Sequence, residues 1–255
     1  MSGAIAIAAM LLDFGGVLVD VVPRPGGIAE TAAYVHALLE EEGMRDVPLE
    51  RVAIDLAAGW RAYGDWKNAQ SRRARPREIE HREFWQDLVG ADWPAAARDA
   101  VGGRAAELCE RLDVATKDRP AKPTSLELLR ALDRLGIPAA LVSNALAGAG
   151  SRKLVRAHGF EPFLAAQIFS DEAGVRKPNP EIFVLAAKAL DVDITRCWYV
   201  GDTYDRDVVG GRRAGVARMI LMRSAGTGTS AGPLVPDLTV RNPSEIAHLL
   251  EEIAV

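Results

Sequence analysis

The chain has few cysteines and no apolar run long enough to cross a bilayer. Its two cysteines, Cys109 and Cys197, lie far apart and form no CxxC pair. They indicate reduced, buried thiols in a cytoplasmic protein rather than a disulfide framework. A membrane-spanning helix needs roughly 20 apolar residues, and no stretch reaches that length. The N-terminal apolar run has no basic region before it and ends in Asp13, so we interpret it as a core strand, not a signal peptide.

An excess of positive charge is also missing. The net charge is −4 and the isoelectric point is about 5.7, which gives no general attraction for nucleic acid. We therefore expect neither a nucleic-acid partner nor a membrane partner. The composition is that of an ordinary globular protein, with 49% apolar and 26% charged residues. A length of 255 residues allows one or two domains with a large buried core.

Near the N-terminus, an apolar run leads into a carboxylate and two glycines. The sequence of residues 11–20 is LLDFGGVLVD, in which Asp13 follows the apolar residues and Gly15 and Gly16 come next. A carboxylate at the tip of a buried strand is a nucleophile when it is held in line with its target. The glycines allow a sharp turn and a close approach of a phosphate or a metal to the backbone. Alone, the pattern is also typical of a tight turn after a strand.

Three later segments also place polar side chains at or near the ends of apolar runs. They are AALVSN (residues 139–144), VRKPNPEIF (residues 175–183) and CWYVGDTYDRD (residues 197–207). Taken singly, Ser143 could be an ordinary helix cap and Lys177 a solvated residue before a proline turn. The K-P-x-P-x-I-F string is specific enough to make the second reading the weaker one.

Together and in this order, the four segments resemble the motifs of the haloacid dehalogenase (HAD) superfamily. The resemblance covers most of the chain outside the part between residue 20 and about residue 120. It implies a catalytic set of a nucleophile, a hydroxyl and a cation, namely Asp13, Ser143 and Lys177. It implies phosphate binding by Ser143, Asn144, Lys177 and Gly16. It also implies a Mg²⁺ site formed by Asp13, the backbone carbonyl of Gly15, Asp202 and Asp207, with Asp205 as the competitor of Asp207.

Gly15 stands where the family carries its second aspartate, the general acid and base. A glycine can still offer its carbonyl to a metal, but it cannot protonate a leaving oxygen. General acid catalysis typically contributes about 10²–10⁴-fold to a rate. The sequence therefore predicts a phosphoryl-transfer site in which another group supplies the proton, or the leaving group needs none.

The pattern of apolar residues divides the chain into a core and an insert. Repeated strand–helix units in residues 1–20 and 120–255 predict an α/β core, a Rossmann-like parallel sheet with helices on both faces. Proline and glycine clusters flank residues 21–119, which we predict to be an inserted all-helical cap domain. In open parallel sheets the ligand lies at the carboxyl ends of the strands, where Asp13, Ser143 and Asp202 are expected.

Within the cap we expect four helices, at residues 28–42, 49–66, 76–89 and 93–112. Two of its aromatic residues, Tyr63 and Trp66, are the first candidates to line a substrate pocket. The basic run at residues 72–77 is typical of a solvated loop and would bind an anionic substrate only if it faced the cleft. The glycine-rich residues 225–232 lack a phosphate-loop ending and predict a flexible surface loop.

The leading hypothesis is a Mg²⁺-dependent phosphatase that acts on a small phosphorylated metabolite through a phospho-Asp13 intermediate. A 2-haloacid dehalogenase is an alternative, because halide departs without a proton. The intact Gly-Asp-Thr of residues 201–203 disfavours it. A catalytically impaired, phosphate-binding HAD protein is a second alternative, and Gly15 makes a mutase improbable. The substrate and the oligomeric state stay open.

Overall fold

The computed structural model describes residues 7–223 and 232–254. Its strands are β1 (Ala9–Leu12), β2 (Val22–Pro23), β3 (Lys117–Asp118), β4 (Ala139–Ser143), β5 (Ala166–Phe169), β6 (Cys197–Gly201), β7 (Arg218–Met222) and β8 (Leu238–Val240). Six of them form one parallel sheet in the order β5-β4-β1-β6-β7-β8. The remaining two, β2 and β3, pair antiparallel. The loop predicted at residues 225–232 lies outside the described residues, except for Gly232.

Helices cover both faces of the six-stranded sheet. The helices of the core are α6 (Ser125–Arg134), α7 (Gly148–Ala157), α8 (Ser170–Ala173), α9 (Pro180–Ala189), α10 (Val209–Ala214) and α11 (Pro243–Ala254), and those of the insert are α1 (Gly27–Glu41), α2 (Leu49–Gln70), α3 (His81–Glu83), α4 (Ala95–Gly103) and α5 (Ala105–Thr116). A π-helical turn extends α3 over Phe84–Val89, and another precedes α10 over Tyr204–Val208. The predicted Rossmann-like α/β fold is confirmed.

The central strands β1, β4 and β6 are buried at every residue, which is why each is a continuous apolar run in the sequence. Alternation still divides their side chains between two cores. Trp198 packs on one face with residues of α6 and α11, and its neighbour Tyr199 packs on the other face with residues of α9. Both cysteines are buried and free, as the sequence predicts.

The insert has its own apolar core, built from α1, α2, the π-helical turn, α4 and α5. Aromatic rings dominate it: Phe84 makes edge-on contacts with Trp60, Tyr63 and Trp85. Such contacts stabilise a helical bundle beyond the area that they bury. The division of the chain at residues 21 and 119 stays a prediction. Within residues 7–223 and 232–254, every helix is too short or too polar to span a membrane.

Several predicted elements of the insert differ in the structure. The insert is not entirely helical, because β2 and β3 join its two ends in a short ribbon. The helix predicted over residues 93–112 is two helices, α4 and α5, which are interrupted at Arg104. The helix predicted to begin at Pro76 begins at His81 instead. In the core, the three-residue strand β8 was not predicted, because so short a segment has no clear period.

The late start of α3 has a physical cause. Residues 76–80 are extended and dock on the core, where the Glu78 N–H donates to the Gly174 carbonyl at 2.9 Å. The Glu78 carboxylate is buried and pairs with Arg176 Nη1 at 2.8 Å. It also accepts a hydrogen bond from Ser170 Oγ at 2.5 Å. A buried carboxylate needs such partners, and they lie on the core rather than within a helix. This contact fastens the insert to the sheet domain.

Candidate active site

The carboxyl ends of three adjacent strands bring the predicted residues together. Asp13 follows β1, Ser143 ends β4, and Asp202 follows β6. The strands pair as β4-β1-β6, and the Asp13 N–H donates to the Val200 carbonyl at 2.9 Å, which extends the ladder into the site. Asp13 and Ser143 are both buried, at 8% and 7% exposure. Ser143 lines the same cavity as Asp13.

Gly16 is required by its backbone and by its neighbour. Its φ is +75°, a region that side chains other than glycine rarely adopt. A Cβ at this position would lie 2.1 Å from Asp202 Oδ2, so Asp202 occupies the space that the missing side chain leaves. The Gly16 N–H donates to the Val19 carbonyl at 2.7 Å. Its predicted role in phosphate binding stays a prediction, and its N–H already has a partner.

Lys177 links two of the carboxylates. Its Nζ lies 2.7 Å from Asp13 Oδ2 and 2.8 Å from Asp207 Oδ1, and its side chain is 2% exposed. The Asn144 side chain holds the Lys177 backbone from both sides: its Oδ1 accepts from the Lys177 N–H at 2.8 Å, and its Nδ2 donates to the Lys177 carbonyl at 3.1 Å. The structure thus places Asn144 as a residue that positions Lys177.

Asp207 lies behind the other carboxylates and is fully buried. Its Oδ1 accepts from the Tyr199 hydroxyl at 2.6 Å and contacts Lys177. Its Oδ2 accepts from the N–H groups of Asp202 at 3.2 Å and Thr203 at 2.8 Å. A carboxylate offers about four lone-pair sites, and these contacts use them all. Asp207 therefore fixes the loop that carries Asp202, whereas its competitor Asp205 is exposed.

The crowding of carboxylates shifts their pKa values. Burial, with the charges of Asp207 and Asp13, raises the pKa of Asp202 to about 7. Burial also raises the pKa of Asp13, although Lys177 opposes this effect. The pKa of Asp207 is lowered: burial works against its charged form, but the Lys177 ammonium and Arg206 outweigh burial. The site thus holds more negative charge than Lys177 balances.

This donor set fits a hard divalent cation. Carboxylate oxygens of Asp13, Asp202 and Asp207 all lie within 4.8 Å of one another. The space above Gly16 that a Cβ would fill lets Asp202 reach toward Asp13. Mg²⁺ is bound in proteins by one or two carboxylates and keeps several waters, so Asp13 and Asp202 are a sufficient pair of side chains.

Gly15 leaves a gap in the ring of polar groups. Its φ is not positive, and a Cβ there would approach only Val21 Cγ2, at 3.0 Å. Val21 is 47% exposed, so it is free to move. The backbone therefore does not demand a glycine at position 15 as strongly as it does at position 16. Lack of space therefore does not by itself explain why position 15 carries no carboxylate.

The cavity above these residues holds about 720 Å³ and extends to the insert. The insert and its linkers contribute Tyr63, Lys67 and Lys117 to the lining, and the core contributes Arg176 and Arg206. Tyr63 lines the cavity as predicted. Trp66 does not line it, but stacks on Tyr63 at 6.1 Å between ring centroids and contacts Arg176 at 5.1 Å.

The sequence analysis missed four residues of this region: Lys67, Tyr199, Arg176 and Arg206. Arg176 could have been found as the neighbour of Lys177, and Lys67 follows an aromatic stripe of α2 by one residue. Tyr199 gave no signal, because a tyrosine in an apolar strand is an ordinary core residue. The basic run at residues 72–77 does not line the cavity, and its arginines are exposed.

The fold and the site define a hydrolase of the HAD type. A family model described as haloacid dehalogenase-like hydrolase matches residues 7–215, and the chain belongs to this family. The chain is 34% identical over 136 residues to the glyceraldehyde 3-phosphate phosphatase of Methanopyrus kandleri, a match that covers 52% of this chain and 57% of that protein. It is 27% identical over 208 residues to the phosphoglycolate phosphatase of Xanthomonas campestris, covering 82% of this chain and 80% of that protein.

A solved structure shares the whole fold. The 2-haloacid dehalogenase from Pseudomonas syringae pv. Tomato matches with a TM-score of 0.62 at 20% identity, over 96% of this chain and 99% of that chain. At this identity the match shows the architecture alone. The sequence relatives add that the chain is similar to phosphatases.

Proposed function

We propose that this hydrolase is a Mg²⁺-dependent phosphatase of small phosphorylated metabolites. The observation that carries the proposal is the contact of Asp13 with Lys177 in the cavity, together with the carboxylates of Asp202 and Asp207. Oxygens of the three carboxylates lie within 4.8 Å of one another. Displacement of halide also needs a nucleophilic carboxylate but no metal ion, so the further carboxylates of Asp202 and Asp207 favour phosphoryl transfer. The similarity to two phosphatases favours the same reaction.

The nucleophile in this proposal is a carboxylate oxygen of Asp13. It forms a bond to the phosphorus of the substrate as the bond between phosphorus and the leaving oxygen breaks, which gives an acyl phosphate. Water then attacks the same phosphorus, inorganic phosphate departs, and the Asp13 carboxylate is restored. Ser143 donates a hydrogen bond to a phosphoryl oxygen, and Lys177 holds Asp13 in place and balances charge.

Asp13, Asp202 and the Gly15 carbonyl would hold the Mg²⁺, with Asp207 supporting the loop of Asp202. The bound ion would neutralise charge between the carboxylate and the phosphate. Lys177 Nζ lies 2.7 Å from Asp13 Oδ2 and favours the ionised form of Asp13 against the effect of burial. We also propose that residues 21–119 close over the site and exclude water during the transfer.

The leaving oxygen has to obtain its proton elsewhere than from residue 15. Substrates with a good leaving group need no such proton in the transition state. For the others, ordered water at the gap beside Gly15 is the nearest source that the arrangement allows. We therefore expect the chemical step to depend on the leaving group.

One screen tests the proposal. Purified protein is assayed against a panel of phosphorylated metabolites with Mg²⁺ and after exhaustive chelation, alongside 2-chloropropionate. We expect phosphate release that requires Mg²⁺ and no chloride release. Chloride release without Mg²⁺ would replace the phosphatase by a dehalogenase. Phosphate binding without turnover of any substrate would support the impaired HAD protein instead.

A further inference from the structure

Positive charge is compensated differently at the two ends of the cavity, the core end at Lys177 and the cap end at Lys67. At the core end, Lys177 contacts two carboxylates. At the other end, Lys67 of α2 lines the cavity without one: within residues 7–223 and 232–254, no carboxylate lies within 4.0 Å of its Nζ. Lys117 and Arg119 share the single carboxylate of Asp113, at 2.8 and 2.6 Å. This end therefore carries more cations than anions.

Aromatic rings hold these cations toward the cavity. Lys67 Nζ lies 4.6 Å from the centroid of the Tyr63 ring and 5.9 Å from that of Trp60. Lys117 Nζ lies 5.0 Å from the same Trp60 ring. Such contacts stabilise a cation without neutralising its charge. The ammonium of Lys67 is thus positioned but keeps its capacity for an anion.

Two arginines of the core face the same space. Arg206 Nη2 donates to Thr203 Oγ1 at 2.8 Å, and in the described part of the chain it contacts no carboxylate. Arg176 is 1% exposed, and its Nε has no hydrogen-bond partner although it is buried. A buried donor without a partner is costly, and a ligand oxygen would satisfy it.

We propose that Lys67, with Lys117 and Arg206 near it, binds a second anionic group of the substrate. The substrate class is then a phosphomonoester that also carries a carboxylate or another phosphate. This inference rests on the proposed function, because it assumes that the first phosphate lies at Asp13. A cavity of about 720 Å³ accommodates such a small molecule with two anionic groups.

The charge of Lys67 responds to its surroundings. Burial, followed by the charges of Lys117, Arg176 and Arg206, lowers its pKa to about 7, and only Glu78 acts in the opposite direction. Tyr63 and Trp60 complete its neighbourhood and bear no charge near neutral pH. A bound anion favours the ammonium, so binding weakens as the pH rises above 7.

The test compares matched substrates. 3-Phosphoglycerate and glycerol 3-phosphate differ by a carboxylate, and 1,3-propanediol bisphosphate and 3-hydroxypropyl phosphate differ by a second phosphate. We expect wild type to have a higher kcat/KM for the anionic member of at least one pair. Lys67→Met should reduce that ratio by about tenfold to 100-fold, mainly through KM. Lys67→Arg should restore it, and the exposed Lys188→Met should leave it unchanged.

The pH profile supplies an independent readout. In wild type the ratio should fall between pH 6 and pH 9, and in Lys67→Arg it should be flat. The carboxylate pair is used here, because both members carry the transferred phosphate, whose titration cancels from the ratio, and the carboxylate stays ionised throughout this range. A ratio that is equal in wild type and Lys67→Met would overturn the second anion site while leaving the phosphatase intact.

Binding separates the two proposals when no ester is hydrolysed. Calorimetry with 3-phosphoglycerate and 1,3-propanediol bisphosphate on the wild-type protein then shows whether either molecule binds. Binding that Lys67→Met weakens at least tenfold would support the anion site and overturn the phosphatase. Absence of any binding would overturn both.

Discussion

The core end and the cap end of the cavity differ in how their charges are compensated. At the core end Lys177 forms ion pairs with both Asp13 and Asp207, and the Asp207 carboxylate also accepts hydrogen bonds from protein donors. At the cap end Lys67 rests on aromatic rings without a carboxylate. Charged groups that hold one another in place are suited to one fixed reaction, whereas a cation without a carboxylate partner is suited to selecting a ligand. We infer that chemistry and selection are divided between the two ends.

The largest expected effect tests the core end. Asp13→Asn removes the nucleophile but keeps nearly the same shape, and the amide can still accept from the Phe14 N–H, which donates to Asp13 Oδ1 at 2.7 Å. Turnover should fall by about 10⁴-fold or more, because an amide oxygen is not a competent nucleophile. Phosphate release is the measurement, and circular dichroism is the control for folding. Near wild-type turnover in pure Asp13→Asn would contradict the covalent mechanism.

The next effect asks whether the core end depends on the buried ammonium of Lys177. Lys177→Met leaves Asp13 and Asp207 without their shared cation. Removing one partner of a buried ion pair costs about 3–5 kcal/mol of unfolding free energy, and turnover should fall at least about 10²-fold. Urea denaturation and phosphate release measure the two losses. The matched control is the exposed Lys188→Met; similar stability of the two variants would show that the buried contacts matter little.

A smaller effect concerns the gap at Gly15. Without a proton donor, aryl and acyl phosphates should be hydrolysed about 10²-fold faster than alkyl phosphates. Gly15→Asp should raise alkyl turnover and change aryl turnover little, after displacing Val21 slightly. Gly15→Ala is the steric control, because it fills the same space without a carboxyl group. Equal rates across leaving groups in the wild type would show that another residue already supplies the proton.

The smallest effect lies at the cap end. Asp113→Asn should lower the unfolding free energy by about 1–3 kcal/mol, because Lys117 and Arg119 lose their shared carboxylate. Burial opposes the charge of Asp113, but these two cations outweigh it and lower its pKa. A lowered pKa stabilises the fold above the ordinary pKa near 4, and this contribution is lost as the pH falls through the folded value.

Urea denaturation of wild type and Asp113→Asn across pH 3 to 7 measures this difference. It should be largest near neutral pH and shrink toward pH 3. The same variant should also favour substrates with a second anionic group more strongly, because it frees Lys117. A stability difference that grows in acid would contradict the assignment of the carboxylate as charged.

The two ends also differ in how far the sequence predicts them. Asp13, Ser143 and Asp202 end or follow apolar runs that become adjacent strands, so strand order brings these three together, whereas Lys177 lies in the loop before α9. Lys67 has no such marker, since its position depends on how α2 packs on the core. The insert that carries α2 is fastened to the core by the contact of Glu78 with Arg176, which are 98 residues apart in sequence. The prediction of helix over residues 76–80 is wrong for the same reason, because the partners of these extended residues are distant in sequence.

The same limit applies to individual roles. Phosphate binding by Asn144 stays a prediction, and its amide forms hydrogen bonds with the backbone of Lys177. Direct metal binding by Asp207 also stays a prediction: Asp207 belongs to the carboxylate group that could hold an ion, and its lone pairs accept from protein donors. Motif spacing predicts that such residues share a site. It does not predict which neighbour donates to each oxygen, because that depends on distances between atoms that motif spacing does not determine.

The central claim is that the core end transfers the phosphoryl group through Asp13. Rapid acid quench of the protein during turnover of ³²P-labelled acetyl phosphate tests it most directly. The account predicts up to one label per chain, on the peptide that contains Asp13, released by hydroxylamine and absent from Asp13→Asn. Turnover without any labelled protein, or with the label on a different residue, would contradict the account.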